Sequence, residues 1–525
     1  MKRRSFVKNI GLASLTAPFV VNNISFQAIT KKLFDIEKSS DDHVLVIIRL
    51  NGGNDGLNTV FPIDQYDNLL IQRPNILIPE SQIIQGTNNL GFHPVMTGIG
   101  NLFSNGKTSV VQNVGYPQQN RSHFRSMDIW TSGSLDSSET RGWLGRHFDD
   151  QYPNFPSDYP NNQYPDPFAI SMGNSISATC QGIMSNFSSL VSNPANTVNL
   201  NQNQGLNDGT YYGCNIEYIS VLIEQTNLYG AQINAAYNAG SSLSSLYYEN
   251  NDPQEDFKSQ LSKEMQYVAQ MISGGLQTKV FILNINGFDT HGDQVDNLDI
   301  STGEHPELIK NVSDAIEAFQ DDIEQLGLDH RVLGMTFSEF GRQIASNASM
   351  GTDHGDAAPL FLFGSCLANQ IIGPNPIIED QITNQKGVDM QIDFRDIYAS
   401  VLKDWFGVSS STIDTIFDNH TVTYHSLIQG CGLNNNDREL NENTVIVYPN
   451  PAIDKCKIDF TCNSEHIKID LIDSQGRFIR NFCDKHLSQG NHSITCDLSE
   501  ISSGLYIVQI KSEQKQYSTS LKIGN

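Results

Sequence analysis

The sequence predicts an α/β fold, doubly wound around a largely parallel sheet, followed by a small antiparallel β-sandwich. Three observations carry this reading. From residue 42 to about residue 410, apolar runs rich in β-branched and aromatic residues alternate with stretches of helical spacing. That is the pattern of parallel strands covered on both faces by crossover helices. The periodicity stops at "GCGLNNNDRELNENT", residues 430–444, where Gly, Asn and charge take over and a linker is expected. Beyond it, "CKIDFTC", "IKIDLIDSQGRFIRNF", "HSITCDL" and "GLYIVQI" are short alternating segments split by turn residues, as a two-sheet antiparallel domain requires.

The chain opens on "MKRRSFVKNIGLASLTAPFVV", a basic head of Lys2, Arg3, Arg4 and Lys8 ahead of a short, mildly hydrophobic stretch. It is too short to span a bilayer and reads as a signal segment over residues 1–28. The order "RRSFVK" resembles the twin-arginine export signal, which implies folding before the inner membrane is crossed. "HVLVIIRL" is then the first strand, "TSVVQNVGY" the second, "TKVFILNI" the third, "RVLGMTFSEF" the fourth and "PLFLFG" the fifth. "EDFKSQLSKEMQYVAQMISGG" has helical spacing and a Gly-Gly stop, "PELIKNVSDAIEAFQDDIEQLG" starts with Pro and ends with Gly, and "DFRDIYASVLKDWFG" closes the unit. The Asn-, Ser-, Tyr- and Pro-rich stretch from about 150 to 250 is expected to hold insertions over the site. The expected division is a signal segment at 1–28, an α/β domain at 42–429, a linker at 430–444 and a tail domain at 445–525.

With 33 Lys+Arg against 58 Asp+Glu, the formal charge of -25 repels nucleic acid and anionic membrane surfaces, so neither is expected as a partner. Beyond the leader, no apolar run reaches the roughly 20 residues of a spanning helix, and no transmembrane segment is expected in the mature chain. The eight cysteines form no C-x-x-C pair. Cys456 and Cys462 lie on one predicted strand, about 20 Å apart along the extended chain, so they cannot bridge each other. Any disulfide in the tail has to cross strands.

Ligands of open α/β sheets sit at the carboxyl ends of the strands. "NGGNDGLNT" with Asn51 and Asp55 follows the first strand, and "PQQNRSHF" with Arg121, Ser122 and His123 follows the second. "NGFDTHGDQ" with Asp289 and His291 follows the third. Ser338, Glu339 and Arg342 follow the fourth, and "ASMGTDHGD" adds Asp353 and His354. A lone D-x-H is more often a solvated turn than a ligand pair. Four polar clusters at four strand ends point instead to a metal site, and mixed Asp/His ligands suit Zn²⁺, Mn²⁺ or Fe better than Ca²⁺.

"VIIRLNGGNDGLNTVFP", "NRSHFRSMDIWTSG", "GFDTHGDQ", "SEFGR…GTDHGDAAPLFLFG" and "DFRDIYASVLKDWFG" together resemble the twin-arginine-exported domain-of-unknown-function family numbered 1501, over roughly residues 42–410. That family is grouped with the alkaline phosphatase and sulfatase superfamily, whose members use a Ser, Thr or formylglycine nucleophile beside one or two metals. The resemblance implies an alkaline phosphatase-like sheet, Ser122 at the nucleophile position, Asp289 with His291 as a first metal pair and Asp353 with His354 as a second; the acidic residue the superfamily has directly after the first strand is replaced by "NGGND", whose Asp55 is the candidate metal ligand there. Departures are visible too. The first pair is spaced D-x-H where the superfamily has D-x-x-x-H, no comparable late third His follows His354, and no C-x-P-x-R sulfatase signature is present. The tail, from "VYPNPA" to "SGLYIVQI", resembles the C-terminal sorting domain of the type IX secretion system.

The expected function is therefore an exported metal-dependent hydrolase of phosphate or sulfate esters, on a small-molecule or polymer substrate. Ser122 or a water would attack, His123 would act as acid or ligand beside Glu339, and Arg121 or Arg342 would balance developing charge. The alternative is a non-catalytic surface-binding or scaffold protein on the same fold. Either would use the twin-arginine translocase and the type IX machinery and end secreted or on the surface of a Gram-negative bacterium.

Overall fold

The computed structural model describes residues 42–197, 211–383, 385–431 and most of 446–523, together with the backbone of Val20–Val21 and Ile24–Ser25. The "RRSFVK" motif and the linker past Cys431 lie outside the described residues. The chain divides into two compact units, Met1–Gly432 and Leu433–Asn525.

The first unit is built on a nine-stranded sheet. Its strands are β1 Val44–Asn51, β2 Thr108–Gly115, β3 Ala169–Met172, β4 Ser188–Val191, β5 Val280–Asn286, β6 Val332–Phe337, β7 Ala358–Phe363, β8 Ile371–Ile372 and β9 Ile392–Asp393. They lie in the order β8-β2-β7-β6-β1-β5-β3-β4, with β9 also paired to β2. β7 is antiparallel to both its neighbours and every other pairing is parallel. A single reversed strand thus leaves the carboxyl ends of β1, β2, β5 and β6 at one edge.

The central strands are apolar throughout because both faces are covered. In β1, Val44, Val46, Ile48 and Leu50 enter one core, and Leu45 and Ile47 enter the other. The first core is closed by helices α1 Thr97–Ser104, α5 Gln260–Ser273 and α6 Glu304–Gln325; α4 Tyr211–Ala239 packs on α5. In α6, Ile309, Val312, Ile316, Phe319 and Ile323 recur every three or four residues and form its buried stripe. The second core takes α2 His123–Ser132, α3 Trp143–Gln151 and α7 Phe394–Asp404. The Asp393 side chain accepts from Arg395 N and caps α7.

The stretch from 150 to 250 departs from expectation. It supplies the last two parallel strands at one end of the sheet, β3 and the edge strand β4, and the 29-residue α4. Strands of four residues that mix Ser with apolar residues are too short to display a period, and they are recognised only by the strand they pair with. A disulfide, Cys366–Cys431, ties the loop after β7 to the end of the unit.

The second unit holds two antiparallel sheets. One contains Ile446–Tyr448, Lys455–Cys462 and Gly490–Asp497; the other contains Glu465–Asp473, Phe478–Leu487, Gly504–Lys511 and Gln516–Ile523. Ile458 from the first sheet and Ile469, Leu471, Val508, Ile510 and Leu521 from the second share one core, as the alternating pattern requires. Among the described residues no helix is long and apolar enough to cross a membrane.

Candidate metal centre

β1 delivers the chain to Gly52 and Gly53, both at positive φ. A Cβ on Gly52 would stand 2.3 Å from Asp289 N, so only glycine lets this loop lie against the loop after β5. Gly52 N donates to Glu339 Oε1 at 2.9 Å, which brings in the loop after β6. The guanidinium of Arg342 closes the assembly. It donates to Gly53 O at 2.6 Å, Gly52 O at 2.5 Å, Phe288 O at 2.8 Å, Thr352 O at 2.8 Å and Asp289 Oδ1 at 2.8 Å. Its side chain is fully buried.

Asp289, presented by this frame, meets three histidines from three loops. His354 Nε2 lies 3.0 Å from Asp289 Oδ1, His291 Nε2 lies 3.2 Å from the same oxygen and 2.9 Å from His354 Nε2, and His123 Nε2 lies 3.3 Å from Asp289 Oδ2. The other nitrogen of each ring faces an acceptor. His354 Nδ1 is 2.9 Å from Arg121 O, His291 Nδ1 is 2.8 Å from Asp353 Oδ1, and His123 Nδ1 is 2.8 Å from Glu339 Oε1. In the tautomer whose ring hydrogen sits on Nδ1 and serves that acceptor, each Nε2 keeps its lone pair. In that tautomer three lone pairs and a carboxylate converge.

Burial raises the Asp289 carboxyl, but its close polar contact with His354 and the hydrogen bond from Arg342 outweigh this and hold it at about 2. Burial lowers His354. The hydrogen bond from His291 holds Asp353 below the usual carboxylate range. His123 Nε2 is buried without a hydrogen bond. An orphaned imidazole nitrogen aimed at a carboxylate and two further imidazoles fits a cation, and His123, Asp289 and His354 already bring their ligand atoms within 4.8 Å of one another. The acceptors behind the rings are the outer partners that metal-binding histidines need for orientation.

Residues 243–417 match the family model described as "Protein of unknown function (DUF1501)", and residues 446–523 match the "Secretion system C-terminal sorting domain". The second match indicates export through the type IX system to the cell surface or beyond. The first spans the loops that carry Asp289, His291, Glu339, Arg342, Asp353 and His354, and begins after the segment that carries His123. No curated protein matches the chain in sequence. Among solved structures, similarity is found to a protein in the alkaline phosphatase superfamily from Vibrio parahaemolyticus at 9% identity, over 92% of this chain and 82% of that one, with a TM-score of 0.30. A sulfatase from Pseudoalteromonas sp. is similar at 9% identity over 93% and 90%, with a TM-score of 0.30. The lipoteichoic acid synthase of Listeria monocytogenes is similar at 10% identity over 69% and 72%, with a TM-score of 0.28.

The sequence-based expectations are redistributed by the geometry. Asp289, His291 and His354 stand together, and His123 joins them through its Nε2. Asp353 is turned to His291 Nδ1, with Asn347 Nδ2 3.3 Å from the same oxygen, so it orients a ring where a second metal pair was expected. Asp55, expected to face the crevice, does not reach the cluster. It is buried, accepts from Arg73 Nη1 at 3.0 Å on both oxygens and from Gln294 Nε2 at 2.8 Å, and helps hold the loop after β1. Glu339 lies behind His123. Arg121 is engaged bidentately by Asp356 at 2.9 and 2.6 Å, and Arg342 is committed to the frame, so neither guanidinium is directed at a bound group. Ser122 is exposed, immediately before α2, and its side chain makes no cap bond to that helix. Two residues escaped the sequence reading: Asn347, for which no signal exists, and Arg49, which bonds to Asn51 on the sheet face of the second core. Arg49 was visible as the lone charge in "VLVIIRL".

Beside this network His305 Nε2 lies 3.0 Å from Asn54 Oδ1, with His93 nearby; burial lowers His305 to about 4 and His93 to about 3. An unfolded chain takes up these protons near pH 6.5, well before the folded chain does. The stability these neutral histidines contribute is therefore present above pH 6.5 and is lost as pH falls toward 4 and then 3, on the order of a few kcal/mol for each. Denaturant midpoints measured from pH 7 to pH 4.5 are expected to fall, and His305→Gln is expected to flatten that slope. An unchanged slope in the variant would show that His305 is not the titrating group.

Proposed function

We propose that the first unit is a metal-dependent hydrolase of phosphate or sulfate esters, exported by the twin-arginine and type IX routes. The convergence of three Nε2 lone pairs on Asp289, each ring held from behind by an acceptor, supports this reading most strongly. His123, His291, His354 and Asp289 would hold one divalent metal, of the Zn²⁺, Mn²⁺ or Fe type by its imidazole majority. Such an ion supplies Lewis-acid polarisation of an ester oxygen and acidifies water.

The chain's own residues do the rest. Asp353, Glu339 and the Arg121 carbonyl fix ring tautomer and direction. Arg342 and Gly52 hold Asp289 in place. Helix α2 begins at His123, so the positive end of its dipole lies at the ligand set and favours an anionic group there. An open cleft of about 540 Å³ is lined by Tyr116, Gln119, Arg121, Asp356 and Met390; Arg121, whose carbonyl orients His354, is common to both, and the cleft offers room for the remainder of a substrate. Ser122 supplies the nucleophilic hydroxyl at the same helix start.

The experiment is metal analysis of purified full-length chain together with a panel of phosphate and sulfate esters. Metal near one equivalent with turnover of at least one ester class is expected; failure to hold any of Zn²⁺, Mn²⁺ or Fe overturns the reading. Ser122→Ala is expected to keep metal and lose turnover by roughly 100-fold or more, since it removes the attacking group. Retention of substantial turnover would assign the attack to water. Lys at both Arg3 and Arg4 is expected to strand the precursor in the cytoplasm, and normal export of that variant would leave an ordinary secretory leader.

One observation favours the non-catalytic alternative. Arg121 and Arg342, the cations expected to neutralise a departing oxyanion, are both committed to protein acceptors. A chain that binds metal and turns over no ester would be the scaffold.

A further inference from the structure

Cys456 and Cys496 stand directly opposite each other on the neighbouring antiparallel strands Lys455–Cys462 and Gly490–Asp497. Opposed residues on such strands have Cα atoms about 4.5–5.5 Å apart, inside the roughly 4.4–6.8 Å range that a disulfide spans. Both side chains are buried in the core between the two sheets. The other tail cysteines lack this geometry. Cys462 stands opposite Gly490, and Cys483 stands opposite Ile469 in the other sheet. A shared metal is not the explanation, because among the described residues the ligand atoms that converge are those of the first unit.

We infer that Cys456 and Cys496 form a disulfide once the chain leaves the reducing cytoplasm, as the sorting tail directs it to do. The Cys456 or Cys496 thiolate attacks the disulfide of a dithiol–disulfide oxidant, giving a mixed disulfide; the second thiolate displaces the oxidant's sulfur. One S–S bond forms in the tail as the oxidant's S–S bond breaks, and two electrons and the two thiol protons end on the oxidant, which leaves as its dithiol. The bond lies in the three-stranded sheet but closes a loop containing Glu465–Asp473 and Phe478–Leu487, two strands of the other sheet. It therefore staples the two layers of a domain too small to gain much stability from its core alone.

The test is a non-reducing peptide map of the full chain, refolded in a glutathione redox buffer and alkylated under denaturing conditions. A peptide linking Cys456 to Cys496 is expected, alongside the Cys366–Cys431 link as an internal control. Free alkylated Cys456 and Cys496 in a sample whose Cys366–Cys431 link is intact would overturn the inference, and so would a link from either of them to Cys483. A second measurement reads the consequence. Reductant is expected to speed proteolysis of the tail severalfold in the wild type and to leave the Cys456→Ala/Cys496→Ala variant unchanged. Equal sensitivity in both would remove the staple.

Discussion

His354→Ala and His123→Ala are each expected to purify folded and nearly metal-free. Truncating either ring removes one of four convergent groups and leaves Asp289 facing fewer partners, so affinity should fall by more than the roughly 10–100-fold that loss of an outer partner costs. Asp353→Asn and Glu339→Gln supply the comparison. Each replaces the acceptor behind one ring, at His291 and His123 respectively, and leaves all four ligand groups present. Their loss should stay within the outer-partner range. Metal content after dialysis, followed by titration with Zn²⁺ and Mn²⁺, separates the two classes. If His123→Ala binds as the wild type does while His354→Ala does not, His123 belongs to proton transfer and the ligand set shrinks to three.

The difference between ligand and orienting group is also where sequence reading reached its limit. β1, β2, β5, β6 and β7 were legible because strands buried on both faces must be continuously apolar, and the loops after four of them were located correctly as polar clusters. β3 and β4 were not, because a four-residue strand that mixes Ser with apolar residues has no period to detect. Within the site, "DTHGD" and "TDHGD" look alike on paper. Only the fold shows that Asp289 faces three imidazole Nε2 atoms whereas Asp353 faces one Nδ1. His123 follows Ser122 and reads as acid or ligand alike; the start of α2 aims its ring at Asp289. Asp55 carries the opposite lesson. A carboxylate in a glycine-rich turn looks available for a ligand, and the residue that claims it, Arg73, lies 18 positions on with no pattern to announce the pairing.

Replacing Arg342 is expected to cost more stability than any other single change in the site, although it touches no substrate. Its guanidinium bridges five acceptors drawn from the loops after β1, β5 and β6, and the side chain has no exposed surface. Arg342→Met leaves four carbonyls without that donor and the half-exposed Asp289 without its cation, at about 1–3 kcal/mol for each buried acceptor left unsatisfied. Arg342→Lys keeps the charge but not the planar fork, and an ammonium with three hydrogens cannot reach acceptors on both sides of the guanidinium plane. It should lose about 1–3 kcal/mol for the carbonyls it abandons. The loops should respond together, because the Gly52 and Asp289 backbones approach so closely that neither can shift alone. Metal affinity is therefore expected to drop in Arg342→Lys even where the fold survives, with Asp289 no longer held toward the histidines. Urea midpoints with and without added Zn²⁺ measure both effects. If Arg342→Lys unfolds at the wild-type midpoint and still binds metal fully, the loops are held by their backbone bonds, and Arg342 is free for the charge-balancing role that its sequence position first suggested.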